Sequence, residues 1–189
     1  MRAEHHHILP ASRETPLAPS FPLRHRLYRA LFIVAWTLLA RWTPPPFHRW
    51  RAVLVRTFGA RIAPGARIHA SARIWYPANL VMEPGTILGP TAICYNIAPI
   101  TIGAGATVSQ GAHLCTGTHD IADPAFQLRA APISIGEKAW VAAQAFVGPG
   151  VELGQGAVLG ARAVTFSNLD PWTVHAGNPA RYLKARPPM

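Results

Sequence analysis

The chain has 189 residues, half of them apolar, and a formal net charge of +10. That fits one domain with an appendage, and Cys94 and Cys115 alone offer no disulfide framework, as suits a reducing compartment. The charge is uneven: residues 1–58 carry nine Arg against Glu4 and Glu14, net +7, whereas residues 59–189 carry +3. Such asymmetry points to an anionic partner. No nucleic-acid module is recognisable, so a membrane surface is expected and nucleic acid is not.

Residues 1–22 are rich in Pro, Ser and Ala without periodicity, and a disordered tail is expected. They lack the apolar stretch of a signal peptide, so a cytoplasmic location is expected. The His5-His6-His7 run reads as a tag remnant or solvated tail rather than a metal site. Residues 23–58 read as helical. Arg24, Arg26 and Arg29 precede an apolar run from Ala30 to Ala40, broken only by Thr37 and closed by Arg41. Eleven helical residues cover about 16 Å, half of a hydrocarbon core of roughly 30 Å, so this segment does not span a membrane alone. It either lies in the interface at the inner face of the membrane, with Trp36 and Trp42 at the headgroups, or packs on a partner subunit. Pro44-Pro45-Pro46 ends it, and His48 to Phe58 reads as a second short helix stopped at Gly59.

From Ile62 the chain is built of six-residue words. Ile62, Ile68 and Ile74 open three words, and the register then slips by two. Met82, Leu88 and Cys94 open three more, followed by another slip of two; Ile102, Val108 and Leu114 follow. Fifteen residues (120–134) interrupt the count before Ile135, Val141, Val147, Leu153 and Leu159 resume it. The fifth place holds Ala, Thr or Val in all fourteen words. Each word is thus a short strand and a turn, with one large and one small residue facing a narrow core. No word buries its own face, so neighbours must stack at about 4.8 Å. Every interruption follows three words, which predicts three words per coil, about five coils, and one corner of a triangular prism for all the insertions. The β-helix is expected over 59–168, with an extension over 169–189 that includes a short final helix at Arg181 to Arg186.

Three stretches carry a resemblance: Gln110 to Asp120 (QGAHLCTGTHD), Pro132 to Ala143 (PISIGEKAWVAA) and His175 to Arg186 (HAGNPARYLKAR). With them the chain resembles the hexapeptide-repeat acyltransferases, and among these the colanic acid biosynthesis acetyltransferases. The resemblance implies an all-β fold, a left-handed parallel β-helix. It also implies acetyl-CoA as cosubstrate with no metal, and a homotrimer with its sites between subunits. The implied acceptor is a saccharide hydroxyl, on an exopolysaccharide or a lipid-linked precursor.

By the same likeness His119 is the general base, at an outward corner in the sixth place of its word. A sugar hydroxyl is too weak an acid to attack a thioester unaided, and a neutral imidazole removes its proton as the bond forms. Asp120 orients that ring, meets an acceptor hydroxyl or caps the loop, and Asn96 either enters the acceptor pocket or forms a turn. The loop, with Phe126 and Leu128, is expected to fold over the acceptor. Trp140, Ala143 and Ala161 match the pantetheine surface, and Arg181 and Lys184 match residues that meet the coenzyme's phosphates. Many relatives carry Thr-Lys or Ser-Lys after the last coil, where this chain has Phe166-Ser167.

His113, one word before His119, is expected at the adjacent corner and pointing away. A zinc-dependent carbonic anhydrase on this fold needs two histidines five apart and a third converging on the metal. Here the spacing is six and no third histidine suits. A non-catalytic coil presenting flat threonine ladders is unsupported, since those ladders are absent. An acetyltransferase for serine, a free sugar or a drug, and a binding-only module, are the alternatives.

Overall fold

The computed structural model describes residues 21–188. The His5–His7 run and most of the expected tail lie outside them. Phe21 is ordered into the fold, its ring 4.9 Å from that of Trp75.

Helix α1 (Leu23–Leu39) starts after Pro22, and Trp50 Nε1 donates to the carbonyl of Leu39 at its end (2.7 Å). Phe32 and Trp36 are buried under it, and Tyr28 donates its hydroxyl to the carbonyl of Phe58. Burying two such aromatics is worth roughly 1.5–3 kcal/mol each. Helix α2 (His48–Thr57) buries Arg51, Ala52, Leu54 and Val55 and closes the first end of the prism. Among the described residues the Arg51 guanidinium has no acid beside it. It donates instead to the carbonyls of Ile68 (2.6 Å), Pro44 (3.0 Å) and Pro45 (2.8 Å), which ties the proline segment to the first coil.

The coils then follow. Coil one is β1 (Arg61–Ile62), β2 (Arg67–Ile68) and β3 (Arg73–Ile74); coil two is β4 (Leu80–Met82), β5 (Ile87–Leu88) and β6 (Ile93–Tyr95). Coil three is β7 (Ile100–Ile102), β8 (Thr107–Val108) and β9 (His113–Cys115). An antiparallel pair, β10 (Gly117–His119) and β11 (Leu128–Ala130), interrupts. Coil four is β12 (Ile133–Ile135), β13 (Trp140–Val141) and β14 (Phe146–Val147); coil five is β15 (Glu152–Leu153), β16 (Val158–Leu159) and β17 (Val164–Thr165). Three parallel sheets result: β1-β4-β7-β12-β15, β2-β5-β8-β13-β16 and β3-β6-β9-β14-β17, here the first, second and third faces. The fold is a left-handed parallel β-helix.

In ten of the fourteen words the fourth place takes a positive φ. Six glycines from Gly65 to Gly156 fill it, and Thr91, Lys138, Gln144 and Arg162 adopt it with side chains (φ 55–59°). Second-place glycines serve a different need: a Cβ on Gly103 would lie 2.7 Å from the backbone of Glu137 in the next coil.

Four details differ from expectation. A fifteenth inward place exists, held by Thr165, which is buried although polar; its hydroxyl donates to the carbonyl of Ser167 (2.8 Å). In eleven of the fourteen words the sixth place lies on a flat face, as the first outward residue of the next strand, because the turns consume the middle of the word; Asn79, Pro99 and His119 lie in the corner insertions. The fifth-place residues Ala78 and Thr118 are exposed, both just where the chain leaves a coil. Arg181–Ala185 is a strand, β19, and not a final helix. It pairs antiparallel with β18 (Thr173–Ala176), which itself continues the second face beyond β16. A six-residue helix has little stability of its own, whereas the open edge of β18 offers a full set of backbone partners.

The insertions share the corner between the third and first faces. There Ile97, Ala98, Leu128 and Ala130 form a second small core, with Phe21, Trp75 and Tyr95 against it. This core carries the β10–β11 pair.

Candidate active site

Gly117 lets β10 leave the coil: a Cβ there would lie 2.7 Å from Ile97 Cδ1 and 3.0 Å from Tyr95 Cε1. Buried Thr116 fixes the departure point. Its hydroxyl donates to the Tyr95 carbonyl (2.8 Å) and accepts from the Ala98 amide (3.0 Å). Three residues after Thr116, His119 stands opposite Leu128 across the antiparallel pair. It is therefore on the inserted strand rather than at a coil corner.

His119 is held from one side. Its Nδ1 lies 2.8 Å from the Phe126 carbonyl oxygen, and its ring stacks on that of Phe126 with centroids 4.4 Å apart. A carbonyl only accepts, so in the neutral ring Nδ1 carries the hydrogen and Nε2 keeps the lone pair. The ring borders a cavity of about 360 Å³ shared with Thr118, Asp120, Ile121, Arg129, Ala130, Ala131 and Pro149.

Asp120 does not touch the imidazole in this arrangement. Its Oδ2 accepts from Arg129 Nη2 (2.6 Å) and Nε (3.0 Å), and its Oδ1 accepts from the Ala122 amide (3.1 Å). The Arg129 hydrogen bonds, helped by that amide, hold the carboxyl below the usual carboxylate range. Of the three expected roles, capping the loop is the one this geometry fits. Phe126 is half exposed beside the imidazole, whereas Leu128 is buried in the corner core.

Asn96 is fully buried. Its Oδ1 accepts from the Tyr76 amide (2.9 Å) and its Nδ2 donates to the Tyr76 carbonyl (2.8 Å). It joins coils one and two at the shared corner and is not among the described residues lining the cavity at His119. His113 is on the third face, half buried, with its ring edge-on to Phe146 at 5.2 Å and its Nε2 unpartnered. Burial pushes its pKa down.

The other expected residues gather elsewhere. Trp140 lies on the second face, its Nε1 donating to Ser109 Oγ (2.8 Å), beside a groove of about 470 Å³ lined also by Thr107, Lys138 and Arg186. Ala143 and exposed Ala161 occupy the turns between the second and third faces; the Ala143 carbonyl accepts from Arg162 N (2.9 Å). Exposed Arg181 and Lys184 are on β19, the outer strand of the second face. Within one chain, His119 and these residues thus lie on opposite sides of the third face.

Sequence reasoning did not find Thr116, Arg129 or the Phe126 carbonyl. Arg129, nine residues after Asp120, becomes its neighbour only through the antiparallel pair, and a backbone carbonyl leaves no mark in a sequence.

The fold is shared with solved acetyltransferases. One from Vibrio cholerae, solved with acetyl coenzyme A, aligns with TM-score 0.74 and 20% identity over 90% of this chain and 93% of its own. A maltose O-acetyltransferase from Clostridium difficile 630 aligns with TM-score 0.78 and 21% identity over 88% of this chain and 90% of its own. These likenesses carry the fold. In sequence, 145 residues are 43% identical to the "Putative colanic acid biosynthesis acetyltransferase WcaF" of Escherichia coli strain K12, covering 77% of this chain and 80% of the relative. The chain belongs to that family of acetyltransferases. No family model matches it.

Proposed function

We propose that the protein moves an acetyl group from acetyl-CoA to a hydroxyl of a saccharide, with His119 as general base. The observation that carries this reading is the 2.8 Å contact between His119 Nδ1 and the Phe126 carbonyl, which leaves Nε2 as the basic atom beside a cavity. The acceptor oxygen attacks the thioester carbon as its proton passes to Nε2. The tetrahedral intermediate then expels the coenzyme A thiolate, which takes that proton back, so no covalent enzyme intermediate is needed. The saccharide is supported by the names of the relatives, one in colanic acid biosynthesis and one acting on maltose. Release of coenzyme A over a panel of saccharides tests the reading. No release with any of them would leave a binding module.

The donor residues Trp140, Ala143 and Ala161, with Arg181 and Lys184, are separated from His119 by the third face. We therefore propose a homotrimer in which His119 of one chain meets the donor surface of the next. Light scattering at micromolar concentration is expected to give three chains, and a monomer would contradict it.

We also propose that α1 lies on an anionic membrane. Leu23, Leu27, Leu31, Val34 and Leu38 recur at helical spacing on its exposed side, 54–68% accessible, with Trp42 beyond them at 80%. Arg24 and Arg26 flank the stripe and are exposed. Among the described residues no helix is long and apolar enough to cross a membrane. Peripheral contact at the inner face is the form this takes.

A further inference from the structure

Between α1 and the third face runs a second cavity, of about 290 Å³, which the mechanism above does not use. Three arginines border it, Arg29 and Arg41 from the helical segment and Arg73 from β3, and among the described residues no acidic one does. The rest of its wall is largely apolar and includes Ile33, Trp36, Trp75 and Tyr95.

The other arginines divide: among the described residues exposed Arg61 and Arg67 of coil one have no side-chain hydrogen bond, whereas several elsewhere are tied down. Arg51, Arg129 and Arg162 each have their guanidinium hydrogen-bonded by carbonyls, carboxylate or amide. Arg29, Arg41 and Arg73 have no side-chain hydrogen bond or ion pair among the described residues. Arg29 is the most constrained of the three. Its guanidinium carbon lies 3.9 Å from the centre of the Trp75 ring, and its Nε is buried with no hydrogen-bond partner. Stacking uses the face of a guanidinium and leaves its N–H edge for an anion. Burial lowers the Arg29 pKa, as expected for a cation removed from water without a counter-charge.

We propose that this cavity binds an amphiphilic phosphate: a phosphate ester whose charged end meets Arg29, Arg41 and Arg73 and whose apolar part lies along Ile33, Trp36 and Trp75. Phosphate matches the guanidinium edge with two oxygens at once, which a carboxylate also does, but three arginines around one space match the higher charge. The apolar wall calls for a hydrophobic substituent next to that charge. Ile33 belongs to α1, whose exposed stripe carries the apolar surface onward. Trp75 and Tyr95 reach in the other direction, since both pack against the corner core that holds the β10–β11 pair. A phosphate held here is thus placed beside the element that carries His119. Taken with the saccharide reading, on which this last step rests, the ligand is the phosphorylated lipid carrier of the acceptor.

Calorimetric titration of the full chain with farnesyl phosphate, glucose 1-phosphate and farnesol tests the proposal. Farnesyl phosphate is expected to bind at least roughly tenfold more tightly than either of the others, because only it supplies both halves of the ligand. Arg73→Gln, at an exposed strand position, is expected to weaken it by about tenfold, and Arg29→Gln with Arg73→Gln further. Coenzyme A titration on the same variants checks that the coils are intact. Equal binding of glucose 1-phosphate would overturn the amphiphile, and a soluble sugar phosphate would take its place. Unchanged affinity in Arg73→Gln, or no binding of farnesyl phosphate by the parent chain, would overturn the site. Acetyl transfer to unphosphorylated saccharides is measured separately. Transfer without phosphate binding sinks only the cavity, and phosphate binding without transfer sinks only the saccharide reading.

Discussion

The imidazole of His119 and the ring of Phe126 lie 4.4 Å apart and within 8° of parallel, while the carbonyl of the same Phe126 accepts from Nδ1 at 2.8 Å. One residue therefore controls both the plane of the ring and its tautomer. The two contacts are separable, because only the stacking depends on the phenyl group. Phe126→Ala is expected to lower kcat by about three- to tenfold, since an aromatic pair contributes about 0.5–1.5 kcal/mol and the hydrogen bond survives. Phe126→Pro, which keeps the carbonyl but cannot take the observed positive φ of 47°, is expected to cost far more. Steady-state kinetics on both variants checks this, and equal effects would mean that the carbonyl is not the orienting group.

The loop is pinned by Asp120 and Arg129. Arg129 holds the Asp120 carboxyl below its ordinary range, so the folded value lies under the unfolded one. The contact's contribution is complete above the unfolded value and disappears as pH falls through the folded one. Loop closure should thus persist at neutral pH and fail only in acid. In Arg129→Gln the carboxyl returns toward its usual range, and the loop should open at a higher pH than in the parent. Limited proteolysis of residues 120–127 across acidic pH reads this out. Identical profiles would show that the ion pair does not pin the loop.

Thr116 is the buried anchor of the inserted pair. Thr116→Val keeps the volume but leaves the Ala98 amide without its partner, while the Tyr95 carbonyl keeps the backbone amide of residue 116 (3.1 Å). A buried amide left unsatisfied costs about 1–3 kcal/mol. Thermal unfolding is expected to show that loss, with a larger fractional loss of activity because β10 departs from this residue. A variant as stable as the parent would mean that water replaces the hydroxyl.

Much of the prism was legible before any coordinates. Fourteen first-place residues and three interruptions locate the faces and the corner that carries the insertions, because a stacked coil repeats one environment many times. Thr165 escaped because a polar residue in an inward place looks like the end of the repeat. The fate of Arg181–Ala185 depended on the open edge of β18, which no local propensity encodes. The place of His119 at the mouth of the long loop was legible through its motif. What holds it was not, since Phe126 acts through its backbone and Arg129 meets Asp120 only across the antiparallel pair. For α1 the pattern is ambiguous by construction: Phe32 and Trp36 on one side and Leu27, Leu31 and Leu38 on the other are equally apolar, so composition cannot say which side packs.

The exposed stripe of α1 should bind vesicles containing anionic lipid, more weakly as salt rises. Removing residues 1–58 would also remove α2, whose buried Arg51, Leu54 and Val55 close the prism, so point changes are the better test. Leu27→Asn with Leu31→Asn is expected to abolish vesicle binding while leaving thermal stability within about 0.5 kcal/mol, as for other exposed positions. Undiminished binding, or aggregation state altered in place of binding, would identify the stripe as a contact between chains.

The central claim is that His119 Nε2 takes the acceptor's proton, and one comparison tests it most directly: kcat for coenzyme A release in His119→Ala against His113→Ala. Loss of the base should lower kcat by about 10²–10⁴, or roughly 3–5 kcal/mol of barrier. Coenzyme A affinity should hold, because the substitution alters none of the proposed donor residues Trp140, Ala143, Ala161, Arg181 and Lys184. His113→Ala removes an edge-on contact with Phe146 and should cost some stability, but it should keep near-normal turnover. A His119→Ala enzyme that retains activity while His113→Ala loses it would contradict the account and move the base to another residue.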